Sequence, residues 1–125
     1  MGTFYAQCAV SSHLERERSV DVSKILVDTG SECTWIDATV LEGIGLRPEK
    51  KAVSFLTADG RTLEREVCFA VVRVGDRITT DEIVFARPGD LQILGARTLE
   101  GLNLMVDPAR KRLIAAGPLP AAALA

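Results

Sequence analysis

Apolar positions fall along the chain in short runs, alternating or continuous, separated by polar clusters rich in Gly, Asp, Ser and Arg. Such runs read as strands and the clusters as turns. Phe4 to Val10 and Val20 to Val27 are the first two strand candidates, divided by the polar stretch from Ser11 to Arg18. Thr34-Trp35-Ile36 is the third, and the apolar spacing from Ala38 to Leu46 predicts one or two helical turns, kept short by Gly43 and Gly45. Val53 to Leu56 and Thr62 to Val67 flank Thr57-Ala58-Asp59-Gly60-Arg61, where Asp-Gly marks a hairpin because Gly accepts positive φ. A second hairpin is predicted from Cys68 to Val74 and Ile78 to Phe85 around Gly75-Asp76-Arg77, with Arg87-Pro88-Gly89-Asp90 as the loop beyond it. Ile93-Leu94-Gly95 reads as a buried strand ending in glycine, and Arg97 to Leu102 as a short helix. Leu104 to Ala115 forms two strands about a proline turn. The pattern is mainly β.

Length leads to the expectation of one domain, because 125 residues suffice for a core without metal or disulfide help, and a two-domain enzyme is not expected at this length. Residues 1–117 show no internal shift of composition, whereas 118–125 are a Pro/Ala-rich stretch, expected as a weakly ordered tail. With 47% hydrophobic residues, a net charge of -2 and mixed signs, the chain is expected to fold and not to bind nucleic acid. Neither a basic-then-apolar leader nor a membrane-length apolar run occurs, so neither secretion nor membrane association is expected. Cys8, Cys33 and Cys68 lack C-x-x-C spacing and share the chain with one histidine, His13. That is too few ligands for zinc, and reduced thiols in the cytoplasm account for them. No metal and no cofactor are expected.

Candidate chemistry centres on Asp28-Thr29-Gly30. The apolar approach Ile25-Leu26-Val27 puts the acid at the tip of a supported strand, Thr29 can fix the loop through its hydroxyl, and Gly30 permits close backbone approach. Two carboxylates within hydrogen-bond reach share one proton and so supply an acid and a base together. The chain has no second Asp-Thr-Gly or Asp-Ser-Gly triplet, so the second carboxylate is expected from another copy of the chain.

Ile25 to Ser31, followed by Ile93-Leu94-Gly95 and a short helix, resembles the retropepsin-like aspartic proteases, the group of the retroviral proteases and single-domain bacterial relatives. Thr34-Trp35-Ile36, the Ala58-Asp59-Gly60 hairpin and the ending Thr98 to Pro108 are similar to the bacterial members. The resemblance implies a mainly β, closed acid-protease barrel with one short helix in the C-terminal half, working as a homodimer. It implies an aspartic endopeptidase that needs no cofactor, with Asp28 catalytic, Thr29 and Gly30 supporting its loop, and Ile93, Leu94 and Gly95 as the second signature. Its substrate would be an extended peptide or protein, contacted by Ser31 and Glu32 and by the hairpin residues Ala58, Asp59 and Gly60. Two features depart from the retroviral pattern. The hairpin tip carries Asp59 and Arg61 in place of a glycine-rich tip, and Ala96 stands where an arginine braces the active-site loop. Arg97 follows one position later, so that an Arg97 to Glu32 pair is one way to supply the brace.

Other residues carry plainer readings. Cys33 and His13 have no spacing that joins them as a nucleophilic pair, Trp35 serves equally for core packing or for lining a cleft, and Glu15-Arg16-Glu17-Arg18 is a solvated segment. The competing functional class is a dimerisation or peptide-binding module that keeps this fold without catalysis.

Overall fold

The computed structural model describes residues 3–122. Nine strands and two short helices follow one another as β1 (Phe4–Ser12), β2 (Ser19–Val27), β3 (Thr34–Asp37), α1 (Ala38–Gly43), β4 (Lys50–Leu56), β5 (Thr62–Val74), β6 (Arg77–Ala86), β7 (Ile93–Leu94), α2 (Ala96–Gly101), β8 (Leu104–Asp107) and β9 (Arg112–Ala115). Seven strands form one sheet in the order β1-β2-β7-β3-β6-β5-β4, and β1 also pairs with β5. That last pairing returns the sheet on itself, so six strands run in a circuit and β4 extends from it. β8 and β9 form a separate two-stranded ribbon.

Each pattern of burial follows from a strand's place in the circuit. β2 buries Val22, Ile25 and Val27 and exposes Asp21, Ser23 and Lys24, as expected where one face meets the core and the other water. β6 ends in four consecutive buried residues, Ile83, Val84, Phe85 and Ala86. It is paired there with β3 on one edge, and Ile83 and Val84 also pair with β5 on the other. The core gathers Val10, Ile25, Ile36, Leu41, Val72, Phe85 and Leu94 inside the circuit.

One strand replaces two predicted ones. Residues 62–74 run without interruption because no turn-forming residue stands at Val67-Cys68, and the strand changes partners instead of direction. Thr62 to Val67 pairs with β4 as a hairpin arm, while Val67 to Val74 pairs with β6 and Ala70 to Arg73 also with β1. The hairpin arm thus continues a strand of the sheet circuit. The Ala38 segment does become a helix, capped where the Asp37 side chain accepts the Thr39 amide at 3.0 Å. With α2 there are two helices among the described residues, one in each half of the chain, where the resemblance implied one in the C-terminal half. Pro118 to Ala122 are exposed and outside any element; the rest of the predicted tail, 123–125, lies outside the described residues. Among the described residues, no helix is long and apolar enough to cross a membrane.

Candidate active site

Asp28 follows directly on β2, and its position is set by the parallel pairing of β2 with β7, in which Leu26 faces Ile93 and Val27 faces Leu94. Leu26 N–H donates to Gln92 O at 3.0 Å and Asp28 N–H to Leu94 O at 3.2 Å, so the two signatures predicted from sequence are hydrogen-bonded neighbours. The half-buried Asp28 carboxylate accepts the Gly30 N–H through Oδ1 at 2.9 Å, and Ser31 N–H closes the turn onto Asp28 O at 3.1 Å. Thr29 is exposed at the turn.

Beneath this turn the backbone of residues 31–34 is fastened to residues 95–98. Ala96 N–H donates to Ser31 O at 2.8 Å and Arg97 N–H to Glu32 O at 3.0 Å. Gly95 allows this closeness: a Cβ there would lie 2.3 Å from Cys33 O and 2.9 Å from Ser31 O, nearer than any side chain tolerates. The Gly95 N–H donates to Thr34 Oγ1 at 3.0 Å, the Thr34 hydroxyl donates to Thr98 Oγ1 at 2.6 Å, and the Thr98 hydroxyl donates to Asp81 Oδ2 at 2.9 Å. Both threonines are fully buried. Each hydroxyl has both a donor and an acceptor partner or ends on a carboxylate, which makes the chain of bonds a satisfied buried network rather than a cost.

Arg97 does not pair with the Glu32 side chain. Its guanidinium reaches across to β6, with Nη2 at 3.3 Å from Glu82 Oε2 and 3.8 Å from Asp81 Oδ1, because α2 lies against that strand and points its first turn there. Hydrogen bonds from Lys50 and then Arg97, opposed by partial burial, hold the Glu82 carboxyl below the usual carboxylate range. Cys33 is met by Arg97 at 3.9 Å, not by His13, which packs edge-on to Phe69. Burial pushes the Cys33 thiol up, outweighing that cation, so this cysteine is no activated nucleophile.

A cleft of about 280 Å³ opens over Asp28. Gly30, Ser31 and Ile93 form its floor with Asp28; Phe55, Leu56, Thr57, Ala58 and Leu63 of the hairpin form one wall. Trp35, Asp90 and Leu91 complete it. Trp35, open to either role in the sequence, therefore lines the cleft, where its ring meets Phe55 edge-on at 5.1 Å. Of the residues expected to contact substrate, Ser31 and Ala58 line the cleft, with the Ser31 hydroxyl turned to Cys33 O at 2.8 Å. Glu32, Asp59 and Gly60 are exposed outside that lining. Leu94 and Gly95 are buried supports. Phe55, Leu56, Leu63 and Leu91 were not singled out by sequence reasoning. The signal for them was Phe55 alternating with polar Ser54 on an arm of the Asp-Gly hairpin.

The hairpin tip is closed by its own polar groups. Thr57 N–H donates to Arg61 O at 2.8 Å and Gly60 N–H to Thr57 O at 3.0 Å, with Gly60 at φ +87°. The Thr57 hydroxyl bonds the Asp59 carboxylate, which also accepts Arg61 Nε at 2.9 Å. The two charges at the tip are thus a pair.

Comparison with known proteins agrees with this geometry. The family model for aspartyl proteases matches residues 18–98, more than half of the chain. Among solved structures, the retroviral protease-like domain of Ddi1 from Leishmania major is similar over 99% of both chains, with 20% identity and a TM-score of 0.57. The simian foamy virus (mac) protease is similar over 77% of this chain and 91% of its own, with 17% identity and a TM-score of 0.50. A search of curated proteins gives no match. The Asp28 turn, its Gly95 support and the overlying hairpin stand on the retropepsin-like fold, and the chain belongs to the aspartyl protease family.

Proposed function

We propose that the chain is an aspartic endopeptidase that works as a homodimer, with one Asp28 from each copy at a shared site. The observation that carries this reading is the placement of the only Asp-Thr-Gly aspartate on a rigid turn at the floor of a hairpin-covered cleft. With two such carboxylates a hydrogen bond apart, mutual repulsion keeps one protonated near the pH where the other is ionised. The ionised one takes a proton from water as it attacks the peptide carbonyl; the protonated one donates to the carbonyl oxygen, and a proton then passes to the departing amine. Gly30 N–H, bonded to Asp28 Oδ1, fixes the carboxylate's rotation for this exchange. An extended peptide fits the cleft, with apolar side chains against Trp35, Phe55, Leu91 and Ile93. No metal or cofactor takes part in these steps. A cytoplasmic location belongs to the same proposal and is supported by three free cysteines, two of them buried with thiols pushed up to about 12, mainly by burial.

The test is cleavage of a peptide library by the wild-type chain and by Asp28→Asn between acid and neutral pH. The substitution is expected to remove turnover by about 10²–10⁴-fold, the contribution of a positioned acid–base group. Equal turnover by both proteins would refute the proposal.

One observation favours a second reading, that of a peptide-binding module without catalysis: the hairpin tip carries a self-bonded, charged Thr57, Asp59 and Arg61 turn where a catalytic flap would be expected to have an apolar or flexible tip. A statine-containing peptide that binds far more tightly than a substrate-like peptide decides for catalysis, since only a catalyst favours the transition state.

A further inference from the structure

Two parts of the cleft wall, far apart in sequence, are joined by a fork of hydrogen bonds. Arg65 lies on the β5 arm of the hairpin, two residues past the cleft-lining Leu63, and Asp90 lies in the β6–β7 connection beside the cleft-lining Leu91. Arg65 Nε donates to Asp90 Oδ2 at 2.7 Å and Nη2 to Oδ1 at 2.9 Å. The side chains are only 19% and 13% exposed, so the fork is largely withdrawn from water, where a two-bond charge-assisted pair imposes geometry most strongly. The Arg65 guanidinium carbon also stands 6.0 Å from the centroid of the Trp35 ring, within cation–π range. One side chain therefore touches the turn before Leu91 and the aromatic wall.

Asp90 is itself held at the end of a tight turn. Asp90 N–H donates to Arg87 O and Arg87 N–H to Asp90 Oδ2, both at 2.8 Å, across Pro88 and a Gly89 at φ +93°, the arrangement expected of Pro-Gly at the centre of a turn. Arg87 is bound in turn to Glu66, the neighbour of Arg65 on β5. The turn is thus bonded into one unit, and two ion pairs join that unit to the hairpin arm. Leu91, 63% exposed, stands on it.

We propose that Arg65 and Asp90 are positioning residues whose fork sets the spacing between the hairpin arm and Leu91, and thereby the width of the apolar subsite bounded by Trp35, Phe55, Leu91 and Ile93. For its substrate the proposal rests on the peptidase reading above. Arg65 lies outside the cleft lining, and the carboxylate of the cleft-lining Asp90 is taken up by Arg65 and the Arg87 amide, so loosening the fork acts on the binding of a bulky side chain more than on the chemical step.

The experiment uses the full chain and two peptides that differ only in carrying Phe or Ala beside the scissile bond. Asp90→Asn and Arg65→Gln are expected to raise KM for the Phe peptide about tenfold, the scale of a hydrophobic-pocket contact, with a smaller change in kcat and a smaller loss on the Ala peptide. Arg65→Lys, which keeps the charge and loses the fork, should give the same pattern at lower amplitude. Hydrogen exchange adds an activity-independent readout: amides 89–92 should exchange faster in Asp90→Asn while those of β2 and β6 keep their protection. Losses of equal size on both peptides, or unchanged exchange at 89–92, would overturn the proposal. If the wild-type chain cleaves neither peptide, the peptidase reading fails by itself. Binding of the same peptides, followed by emission of the chain's single tryptophan, Trp35, then replaces KM, with loss of preference for the Phe peptide as the expected result and unchanged preference as the contrary one.

Discussion

The floor of the cleft and the tip of the hairpin above it are held in opposite ways. The Asp28 turn is ordered by distant residues: Leu94, Gly95, Ala96 and, through two buried hydroxyls, Thr98 and Asp81. The tip is ordered by Thr57, Asp59, Gly60 and Arg61 alone, all within five residues and mostly in contact with water. A network of high sequence separation makes the floor depend on the whole fold, so damage far from Asp28 should reach it. The tip depends on nothing but itself, and damage there should stay local.

The largest expected structural effect separates the two directly. Gly95→Ala forces a Cβ to 2.3 Å from the Cys33 carbonyl, and relief requires the Asp28 turn to move. We expect destabilisation by at least the ~1–3 kcal/mol typical of overpacking, seen in chemical denaturation, together with lost turnover. Gly60→Ala has open space around it but meets the backbone penalty of its positive φ, about 1–2 kcal/mol, which opening of the tip itself can relieve, so it should lose less stability than Gly95→Ala and keep wild-type exchange at residues 31–34. Comparable losses for the two would erase the contrast.

Next in size is Thr98→Val, which keeps shape but removes the hydroxyl between Thr34 and Asp81. Leaving buried polar groups short of partners costs about 1–3 kcal/mol, and hydrogen exchange should show residues 31–34 opening first. Protection there equal to wild type would mean that the backbone bonds from Ala96 and Arg97 suffice alone.

Smaller is the pH response of the fork between the β6–β7 turn and the hairpin arm. Hydrogen bonds from Arg65, opposed by burial and aided by the Arg87 amide, hold the Asp90 carboxyl below the usual range. A depressed carboxyl stabilises the fold fully above the unfolded Asp value of about 3.9 and loses that contribution as pH falls through the lower folded value. The fork should therefore stay closed in mild acid, where a carboxylate dyad works, and open only below it. Accelerated exchange at residues 89–92 already near pH 5 would contradict this.

The smallest effect is expected at the tip, where Asp59→Asn breaks an exposed pair. Its carboxyl is lowered first by the Thr57 hydroxyl and further by Arg61, yet solvent screens the interaction, and the thermal midpoint should not move. A clear fall would show that the tip supports more than itself.

What could be read from the sequence divides along the same line. The strands, the Asp-Gly hairpin and the Asp28 turn with its glycine-ended counterpart at 93–95 were legible, because alternation, turn residues and short signatures are local. Partners of side chains were not. Spacing left an Arg97 to Glu32 pair open, and the structure pairs Arg97 with Asp81 and Glu82 instead, a choice made by how α2 lies on β6 and invisible to spacing. Thr34 and Thr98 meet across 64 residues, and Arg65 and Asp90 across 25; nothing near either member of each pair announces the other. The undivided β5 was missed for a different reason: a strand that exchanges one partner for another carries no turn signal at the exchange.

The central claim, a site shared by two copies through Asp28, is tested most directly by mixing. Wild-type chain at fixed concentration is titrated with Asp28→Asn chain, with light scattering used to follow assembly and peptide cleavage to follow activity. A shared site predicts that activity per wild-type chain falls toward zero as mixed dimers replace wild-type pairs, and that wild type alone loses specific activity on dilution to monomer. Activity that is unmoved by an excess of the variant and flat on dilution would contradict it.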